Sequence, residues 1–219
     1  MVLDQMPSLK INEIFHSIQG ESSYVGVPTV FVRTTACNLR CTYCDTTYAY
    51  YEGEHQDLSQ ILDRVRSFGA PNVCITGGEP LLQKQVLPLM TSLCDEGYKV
   101  SLETSGSLSC AEVDPRVKLV LDVKTPDSGA ADSFDLKNLL ITNPDIEFKF
   151  VICSERDFDW SENFCRQYLI FEKFMVLYSP SYRNVEPRWL AEKILQKKST
   201  ARLHLQLHKY IWSSETRGV

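Results

Sequence analysis

The stretch Cys37-Asn38-Leu39-Arg40-Cys41-Thr42-Tyr43-Cys44-Asp45-Thr46 carries three cysteines with the spacing C-x3-C-x2-C. It directly follows the apolar run at residues 29–33, which predicts a strand, so the cysteines belong to the loop that leaves this strand. Thiolates placed close together on one loop can hold an iron–sulfur cluster. Three thiolates leave one iron of a four-iron cubane without a protein ligand. An open coordination position of this kind indicates a metal site that does chemistry.

Two other uses of these cysteines are open at this point. A structural zinc site usually takes four ligands, commonly as two pairs, and no second C-x-x-C or H-x3-H pair follows. A disulfide framework is disfavoured because a chain of 219 residues can bury a core without covalent links. Five further cysteines show no ligand-like spacing: Cys74, Cys94, Cys110, Cys153 and Cys165.

Composition and charge exclude several classes of function. The net charge is −5, which argues against a surface that binds nucleic acid, because neutralising phosphates requires clustered lysine and arginine. The first ten residues lack the apolar core of a signal peptide, and no run approaches the roughly 18 apolar residues of a membrane span. We therefore expect a soluble cytoplasmic protein with a single domain over residues 1–219 and no membrane partner.

Short apolar runs alternate with helix-like patterns along the chain, which predicts repeated βα units and a mostly parallel sheet. The predicted helices include residues 81–96 and 158–170, and the last predicted strand covers residues 203–207. About six such units are too few for a closed eight-stranded barrel, which typically needs about 250 residues. The predicted fold class is α/β, an open, partial TIM-like barrel whose functional groups lie at the carboxyl ends of its strands.

The turn Gly77-Gly78-Glu79-Pro80 follows the next predicted strand after the cysteine loop. Two glycines allow the main chain to approach a ligand closely. Taken alone, the same four residues are common in a turn from a strand into a helix. Their place one βα unit after the cysteine loop favours the ligand-binding interpretation.

The cysteine loop and this turn together resemble the radical S-adenosylmethionine superfamily. The resemblance implies a 4Fe-4S cluster whose open iron binds S-adenosylmethionine, and reductive cleavage of that cofactor to a 5'-deoxyadenosyl radical. It assigns the cluster to Cys37, Cys41 and Cys44. It also implies cofactor contacts at several strand ends: Tyr43, Cys44, Asp45, Gly78, Glu79, Ser105, Asp122, Val123, Lys124, Tyr178, Ser179 and Pro180.

A closer resemblance runs over nearly the whole chain. Residues 19–21 (Gln-Gly-Glu), residues 31–33, the cysteine loop and residues 205–209 (Leu-Gln-Leu-His-Lys) are similar to the 7-carboxy-7-deazaguanine synthase family. The resemblance implies a carbon–nitrogen lyase of queuosine and 7-deazapurine biosynthesis that converts 6-carboxy-5,6,7,8-tetrahydropterin to 7-carboxy-7-deazaguanine with release of ammonia. It further implies a homodimer and an electron donor such as flavodoxin or ferredoxin. A glycyl-radical enzyme activase is the alternative radical enzyme, and a zinc-binding module is the non-enzymatic one.

The same resemblance assigns roles to residues outside the cluster. Glu21 and His208 are the candidate catalytic residues, and Thr46, with Asp45 nearby, is the candidate ligand for Mg²⁺. The candidate substrate contacts are Ile18, Gln19, Gly20, Glu21, Arg33, Thr76, His208 and the terminal carboxylate of Val219. An ion pair is the alternative role for Arg33, and a structural strand histidine is the alternative for His208.

Two residues depart from the family pattern. Ser22 and Ala36 stand where the family more often has glycine. We expect Ser22 to change the backbone of its loop if that position needs a positive φ. Neither departure removes a metal ligand.

Overall fold

The computed structural model describes residues 8–143, 145–214 and 216–219. Within them, nine strands form one sheet: β1 (Ser8–Ile18), β2 (Pro28–Thr34), β3 (Glu54–Asp57), β4 (Asn72–Gly77), β5 (Lys99–Thr104), β6 (Lys118–Asp122), β7 (Ile146–Ile152), β8 (Met175–Pro180) and β9 (Arg202–Leu203). The α-helices of the same residues are α1 (Leu58–Phe68), α2 (Val86–Asp95), α3 (Glu155–Gln167), α4 (Ile170–Lys173), α5 (Pro187–Lys197) and α6 (His208–Ile211).

The order of the strands in the sheet is β3-β1-β2-β4-β5-β6-β7-β8-β9. Six parallel pairs join the seven strands from β2 to β9, and β1 is antiparallel to both β2 and β3. Among the described residues β3 and β9 do not pair with each other, so the sheet stays open. The predicted open, mostly parallel α/β sheet is therefore confirmed, and six connections join its parallel strands where about six βα units were predicted. However, the β5–β6 and β6–β7 connections contain loops and 3-10 turns instead of α-helices.

Side chains along β7 and β8 point alternately to the two faces of the sheet, one of which packs on the helices while the other is the inner face. Phe150 and Tyr178 are fully buried and make edge contacts with each other at 5.8 Å between ring centroids. Tyr178 also packs on Phe158 of α3, at 5.5 Å. Because successive side chains of a strand point to opposite faces, Lys149 and Ser179 point to the other, inner face. These strands therefore supply a hydrophobic core on one side and polar groups on the other.

Three predicted elements have different bounds in the structure. The predicted helix at residues 81–96 begins only at Val86, after a 3-10 turn at Pro80–Leu82. Pro88 then falls in the first helical turn, where proline is tolerated, whereas in a helix from residue 81 it would lie in the interior and remove a hydrogen bond. The helix predicted at residues 158–170 begins at Glu155, where Ser154 caps it by accepting from the Asp157 main-chain N, and ends at Gln167.

The last predicted strand, residues 203–207, is wrong beyond Leu203. The His204 main-chain N still donates to the Tyr178 main-chain O at 2.8 Å, and the main chain then leaves β8 because the Leu207 main-chain N donates to the Gly20 main-chain O at 2.9 Å. His208 consequently begins α6 and is not a strand residue. β1 was not predicted from the sequence, and it forms an antiparallel hairpin with β2.

None of the helices in the described ranges is long and apolar enough to cross a membrane.

Ser22 and Ala36, the two departures from glycine, both have a positive φ, of 62° and 80°. Side chains are disfavoured in this left-handed region by about 1–2 kcal/mol per residue. We expect Ala36→Gly to raise the free energy of unfolding by about 1 kcal/mol in urea titrations, after allowing for the added flexibility of the unfolded chain. Ala131→Gly is the matched control, because φ at Ala131 is not positive and glycine there should destabilise. An equal decrease in the free energy of unfolding of both variants would contradict this prediction.

Candidate active site

A cavity of about 790 Å³ lies on the inner side of the sheet. Its wall is formed mainly by β1, β2, the cysteine loop, the carboxyl ends of β4 to β7, and the segment after β9. The structure brings most of the predicted site residues together in its wall: Ile18, Gln19, Gly20, Glu21, Arg33, Cys37, Cys41, Tyr43, Cys44, Asp45, Thr46, Thr76, Gly78, Ser105, Asp122, Lys124, His208 and Val219.

The other predicted contacts do not line the cavity: Glu79, Val123, Tyr178, Ser179 and Pro180. Val123 and Tyr178 are fully buried, and the Tyr178 hydroxyl donates to Glu162 of α3. Their side chains therefore belong to the core, and any contact of these residues with a ligand would have to come from the main chain. The Glu79 carboxylate accepts from the hydroxyl groups of Thr104 and Ser105 and from the Ser105 main-chain N. Glu79 thus fixes the conformation of the turn at Ser105 without lining the cavity itself.

The cysteine loop presents its three thiols to the cavity. Cys37, Cys41 and Cys44 are free, half-buried thiols. Over the described ranges, no three histidine, cysteine or acidic side chains are arranged to hold a single metal ion. A cubane cluster does not need such convergence, because each thiolate binds a different iron. Three thiols on one loop are the donors that three corners of a 4Fe-4S cluster take.

Burial raises the pKa of the Cys41 thiol, and the ammonium group of Lys124 acts in the opposite direction. The same two influences act on Cys37, together with a hydrogen bond from the Leu39 main-chain N to its sulfur at 3.4 Å. Lys124 itself lies within reach of the Tyr43 ring, at 5.7 Å from the centroid. A cation next to the loop favours the thiolate form, which is the form that binds metal.

Gly78 allows the turn after β4 to pack directly on the cysteine loop. A Cβ at this position would lie 2.2 Å from the Ala36 carbonyl oxygen and 2.7 Å from the Cys37 Cβ. The Glu79 main-chain N also donates to the Ala36 main-chain O at 2.8 Å. The glycine-rich turn is thus fitted to the cysteine loop, as its order in the sequence predicts.

A network of buried charges forms the opposite wall. Glu21 forms an ion pair with Lys149, and Lys149 contacts Asp122 at 3.0 Å. Asp122 in turn pairs with Lys124 at 2.9 Å, and the Gln206 side-chain amide donates to Glu21 at 2.7 Å. Burial opposes ionisation of Glu21, but Lys149 and two nearby histidines hold its pKa below the usual value. Glu21 is therefore a fixed carboxylate and hydrogen-bond acceptor at neutral pH, not a group that carries a proton.

A second carboxyl group, Glu103 at the end of β5, behaves in the opposite way. Burial and the nearby charge of Glu21 raise the pKa of Glu103. Its two oxygens accept from the Gln19 amide at 3.2 Å and from the Thr76 hydroxyl at 3.1 Å. Gln19, Thr76 and Glu103 therefore form one edge that offers amide, hydroxyl and carboxyl groups to a polar ligand.

Arg33 forms the ion pair that is one of its two predicted roles, and its contact with substrate stays a prediction. Its Nε donates to Glu13 at 2.7 Å, and the Tyr48 hydroxyl donates to the same carboxylate oxygen at 3.0 Å. The guanidinium also lines the cavity. Burial opposes its charge, but Tyr48 and Glu13 raise its pKa, so it stays a cation.

The candidate Mg²⁺ site lies beside the third cysteine. The Thr46 hydroxyl donates to one carboxylate oxygen of Asp45 at 2.9 Å, and Lys209 pairs with the other at 2.5 Å. Both side chains line the cavity and carry the oxygen atoms that Mg²⁺ prefers. Lys209 is a competing cation for Asp45, which leaves Thr46 as the freer oxygen ligand.

The loop between β1 and β2 contacts the segment after β9 and closes the cavity where the sheet is open. Gly20 is in direct contact with His208: a Cβ on Gly20 would lie 2.1 Å from the His208 Nδ1 and 2.9 Å from its main-chain N. The Gly20 main-chain O also accepts from the Leu207 main-chain N. Glycine is therefore required here by close packing.

We expect Gly20→Ala to lower kcat/KM by about 10²-fold, because the added methyl group displaces His208 and a shift of about 1 Å in a site has this effect. Steady-state kinetics on the variant test this. Gly26→Ala in the same loop is the control: it has a positive φ of 89° but nothing within 4 Å of its Cβ position. Similar activity losses in the two variants would show that only loop strain matters.

Three charged residues of this site were not predicted from the sequence: Glu103, Lys149 and Lys209. Lys149 had a visible signal, because this lysine stands between two aromatic residues of a predicted strand, Phe148-Lys149-Phe150. A buried lysine is unusual unless it is paired. Glu103 had a weaker signal, as a charged residue next to the carboxyl end of a parallel strand. Lys209 carried no signal of its own beyond its place in the motif at residues 205–209.

Comparisons with known proteins agree with this geometry. Residues 31–127 match the family profile described as the Radical SAM superfamily. The structure is similar to the crystal structure of QueE from Escherichia coli, with a TM-score of 0.77, 23% identity, and coverage of 92% of this chain and 95% of that one. At this identity, the structural likeness establishes the fold.

Sequence relatives establish the family. The chain is 44% identical to the 7-carboxy-7-deazaguanine synthase of Chlorobaculum tepidum, over 96% of this chain and 97% of the relative. It is 42% identical to the enzyme of the same name from Koribacter versatilis, over 96% of this chain and 100% of the relative. The chain therefore belongs to the 7-carboxy-7-deazaguanine synthase family of radical S-adenosylmethionine enzymes.

Proposed function

We propose that this protein converts 6-carboxy-5,6,7,8-tetrahydropterin to 7-carboxy-7-deazaguanine with release of ammonia. The observation that carries the proposal is the joining of two sets of groups in one cavity. Three thiols and a glycine-rich turn stand on one side, and the polar edge of Gln19, Thr76 and Glu103 stands on the other. The relatives named above bear the name of this activity.

The superfamily brings a 4Fe-4S cluster and S-adenosylmethionine, which together supply the removal of a hydrogen atom from a substrate carbon. Cys37, Cys41 and Cys44 would hold the cluster. Gly78 and the Ser105 turn line the cavity next to the cysteine loop and would hold the amino acid and ribose portions of the cofactor. The protein's own contribution is to orient both ligands and to exclude water.

The polar edge suits the amino-pyrimidinone ring of a pterin, because that ring presents both donors and acceptors. Gln19, Thr76 and the main chain at Ile18 and Gly20 can supply hydrogen-bonding groups. Glu103, whose pKa is raised, can donate while protonated or accept while ionised. Glu21 is fixed by Lys149 and Gln206 and would serve as an acceptor that positions the substrate.

The substrate carboxylate would lie toward the cationic side of the cavity. Arg33 offers a guanidinium group there, and His208 and Val219 line the same wall. Mg²⁺ would bind at Thr46 and join the carboxylate to the protein, with water completing its octahedral shell. Burial lowers the pKa of His208, so the neutral imidazole can accept or donate one hydrogen bond.

We further propose that one domain over residues 1–219 carries the activity, that it works in the cytoplasm as a homodimer, and that flavodoxin or ferredoxin delivers the electron. The eight free thiols of the chain support a reducing compartment. Arg40 of the cysteine loop is exposed and stacks on Tyr50 at 4.3 Å, and the neighbouring Tyr51 ring is exposed as well, so both are accessible to a protein partner.

An anaerobic turnover assay tests the proposed function. The reconstituted protein is mixed with S-adenosylmethionine, a chemical reductant, Mg²⁺ and the carboxypterin, and the product is identified by mass spectrometry. We expect 7-carboxy-7-deazaguanine, with less product when Mg²⁺ is chelated. A fully loaded cluster without product would overturn the proposal, and formation of a glycyl radical on a partner protein would identify the activase alternative.

A further inference from the structure

His204 is a buried histidine whose ring has no protein partner. It follows β9 directly, and its main-chain N donates to the Tyr178 main-chain O at 2.8 Å. The side chain is only 6% exposed, and in the described part of the chain neither Nδ1 nor Nε2 has a hydrogen-bond partner. A buried polar group left unpaired destabilises the fold, because it has lost its hydrogen bonds to water. A group of this kind therefore needs a structural explanation.

Ser179 is the residue of β8 that the strand register places opposite His204, and its side chain has the same property. Tyr178 of β8 pairs with Leu203 of β9, so Ser179 and His204 continue this register by one position and share a face. The Tyr178 side chain points toward α3, where it bonds to Glu162, so the alternation turns Ser179 and His204 to the inner face. The Ser179 hydroxyl is buried and likewise lacks a partner among the described residues.

The wall of the candidate active site adjoins this pair. The charges of Glu21 and Lys149 both act on the His204 imidazole, followed by those of Glu147 and His208. Gln206, two residues after His204, donates to Glu21 at 2.7 Å. Burial is the largest influence on the His204 pKa and lowers it. The ring is therefore neutral near pH 7, with one nitrogen that donates and one that accepts.

We propose that Ser179 and His204 bind a buried water molecule behind the Glu21–Lys149 ion pair, and that His204 is a positioning residue for Glu21. A buried water molecule typically makes two to four hydrogen bonds. The Ser179 hydroxyl and one imidazole nitrogen provide two of them, and the Glu21 carboxylate, whose charge acts on the imidazole, is the acceptor that we assign to a third. The effect on catalysis rests on the proposed function of Glu21, whereas the water site itself does not.

A high-resolution crystal structure of the full chain tests the water site without any assay. We expect an ordered water molecule within about 3.2 Å of both the Ser179 Oγ and an imidazole nitrogen of His204. A direct hydrogen bond between these two side chains, or a site with no water density, would overturn the proposal. This result is independent of turnover.

Kinetics of His204 variants test the positioning role. We expect His204→Leu to raise KM for the carboxypterin about tenfold with a smaller change in kcat, because Glu21 loses its support and binds substrate less well. His204→Gln should restore most of the affinity, since its amide can both donate and accept. Ser179→Ala is a smaller change that removes one hydrogen-bond partner of the same water molecule, and it should also raise KM. This variant tests the proposal if His204→Leu does not fold.

A purely structural histidine predicts a different pattern. Apolar replacement of both unpaired groups, in the double variant Ser179→Ala/His204→Leu, would then leave KM unchanged and keep or raise the melting temperature. That pattern overturns the positioning role. If the unmodified protein gives no product at all, the proposed function fails instead, and the crystal structure alone decides the water site.

Discussion

Cys41→Ala is expected to abolish the iron–sulfur cluster and product formation together. Cys41 is the middle ligand of the three, and two thiolates cannot hold three corners of a cubane. Anaerobic reconstitution of the variant should give neither the brown visible absorbance nor the EPR signal of a reduced cluster, and product should fall to background. Circular dichroism should still show a folded protein, because the loop lies outside the core of the sheet.

Cys94→Ala is the matched control for this experiment. Cys94 is also a half-buried free thiol, but it lies on α2 and does not line the cavity. Its replacement should leave both the cluster signal and turnover unchanged. A Cys41→Ala protein that still assembles the intact cluster and turns over would contradict the assignment of this loop.

Lys149→Met is expected to destabilise the fold as well as the site. Lys149 is 7% exposed and pairs with Glu21 and Asp122. Its removal leaves the buried Glu21 carboxylate without its lysine partner, whereas Asp122 keeps Lys124. Breaking a buried ion pair in this way costs about 3–5 kcal/mol. Urea unfolding at pH 7 measures this loss, and kcat/KM should fall because Glu21 loses its orientation.

The surface pair of Lys193 with Glu155 provides the comparison, since the Glu155 side chain is 59% exposed. Lys193→Met should cost at most about 1 kcal/mol. If the two substitutions lowered the free energy of unfolding equally, the buried ion pairs would add no more stability than a surface pair.

The pH dependence of the Lys149→Met effect has a definite sign. Lys149 holds the pKa of Glu21 below its ordinary value of 4.5, despite burial. A carboxyl group with a depressed pKa in the folded state adds stability that is fully present above its unfolded pKa and is lost as pH falls through the folded pKa. The stability difference between the unmodified protein and Lys149→Met should therefore be largest above about pH 4.5 and shrink in acid. A difference that grows on acidification would contradict the ion pair.

The sequence predicted the open parallel sheet because each βα unit is a local pattern of apolar runs. It failed where distant contacts override such patterns. Residues 205–207 alternate like a strand but form hydrogen bonds with the β1–β2 loop. β1 was missed because its half-buried, mixed pattern is produced by pairing with β2.

The cysteine loop and the glycine-rich turn were determined by the sequence alone. Their ligand chemistry depends on short spacings, C-x3-C-x2-C and Gly-Gly, which bonded neighbours fix whatever the rest of the chain does. The folded structure added the steric reason for Gly78, which is the carbonyl oxygen of Ala36.

The substrate side of the cavity was decided only by tertiary structure. The bond between Gln19 and Glu103 joins residues 84 positions apart, that between Lys149 and Glu21 residues 128 apart, and that between Gln206 and Glu21 residues 185 apart. No local pattern encodes these partners, because they meet only when the β1–β2 loop and the last segment close across the open sheet. The sequence by itself therefore specified the metal loop and its cofactor turn. The fold decided which buried charges stand opposite them, since burial and pairing set the ionisation of Glu21 and Glu103.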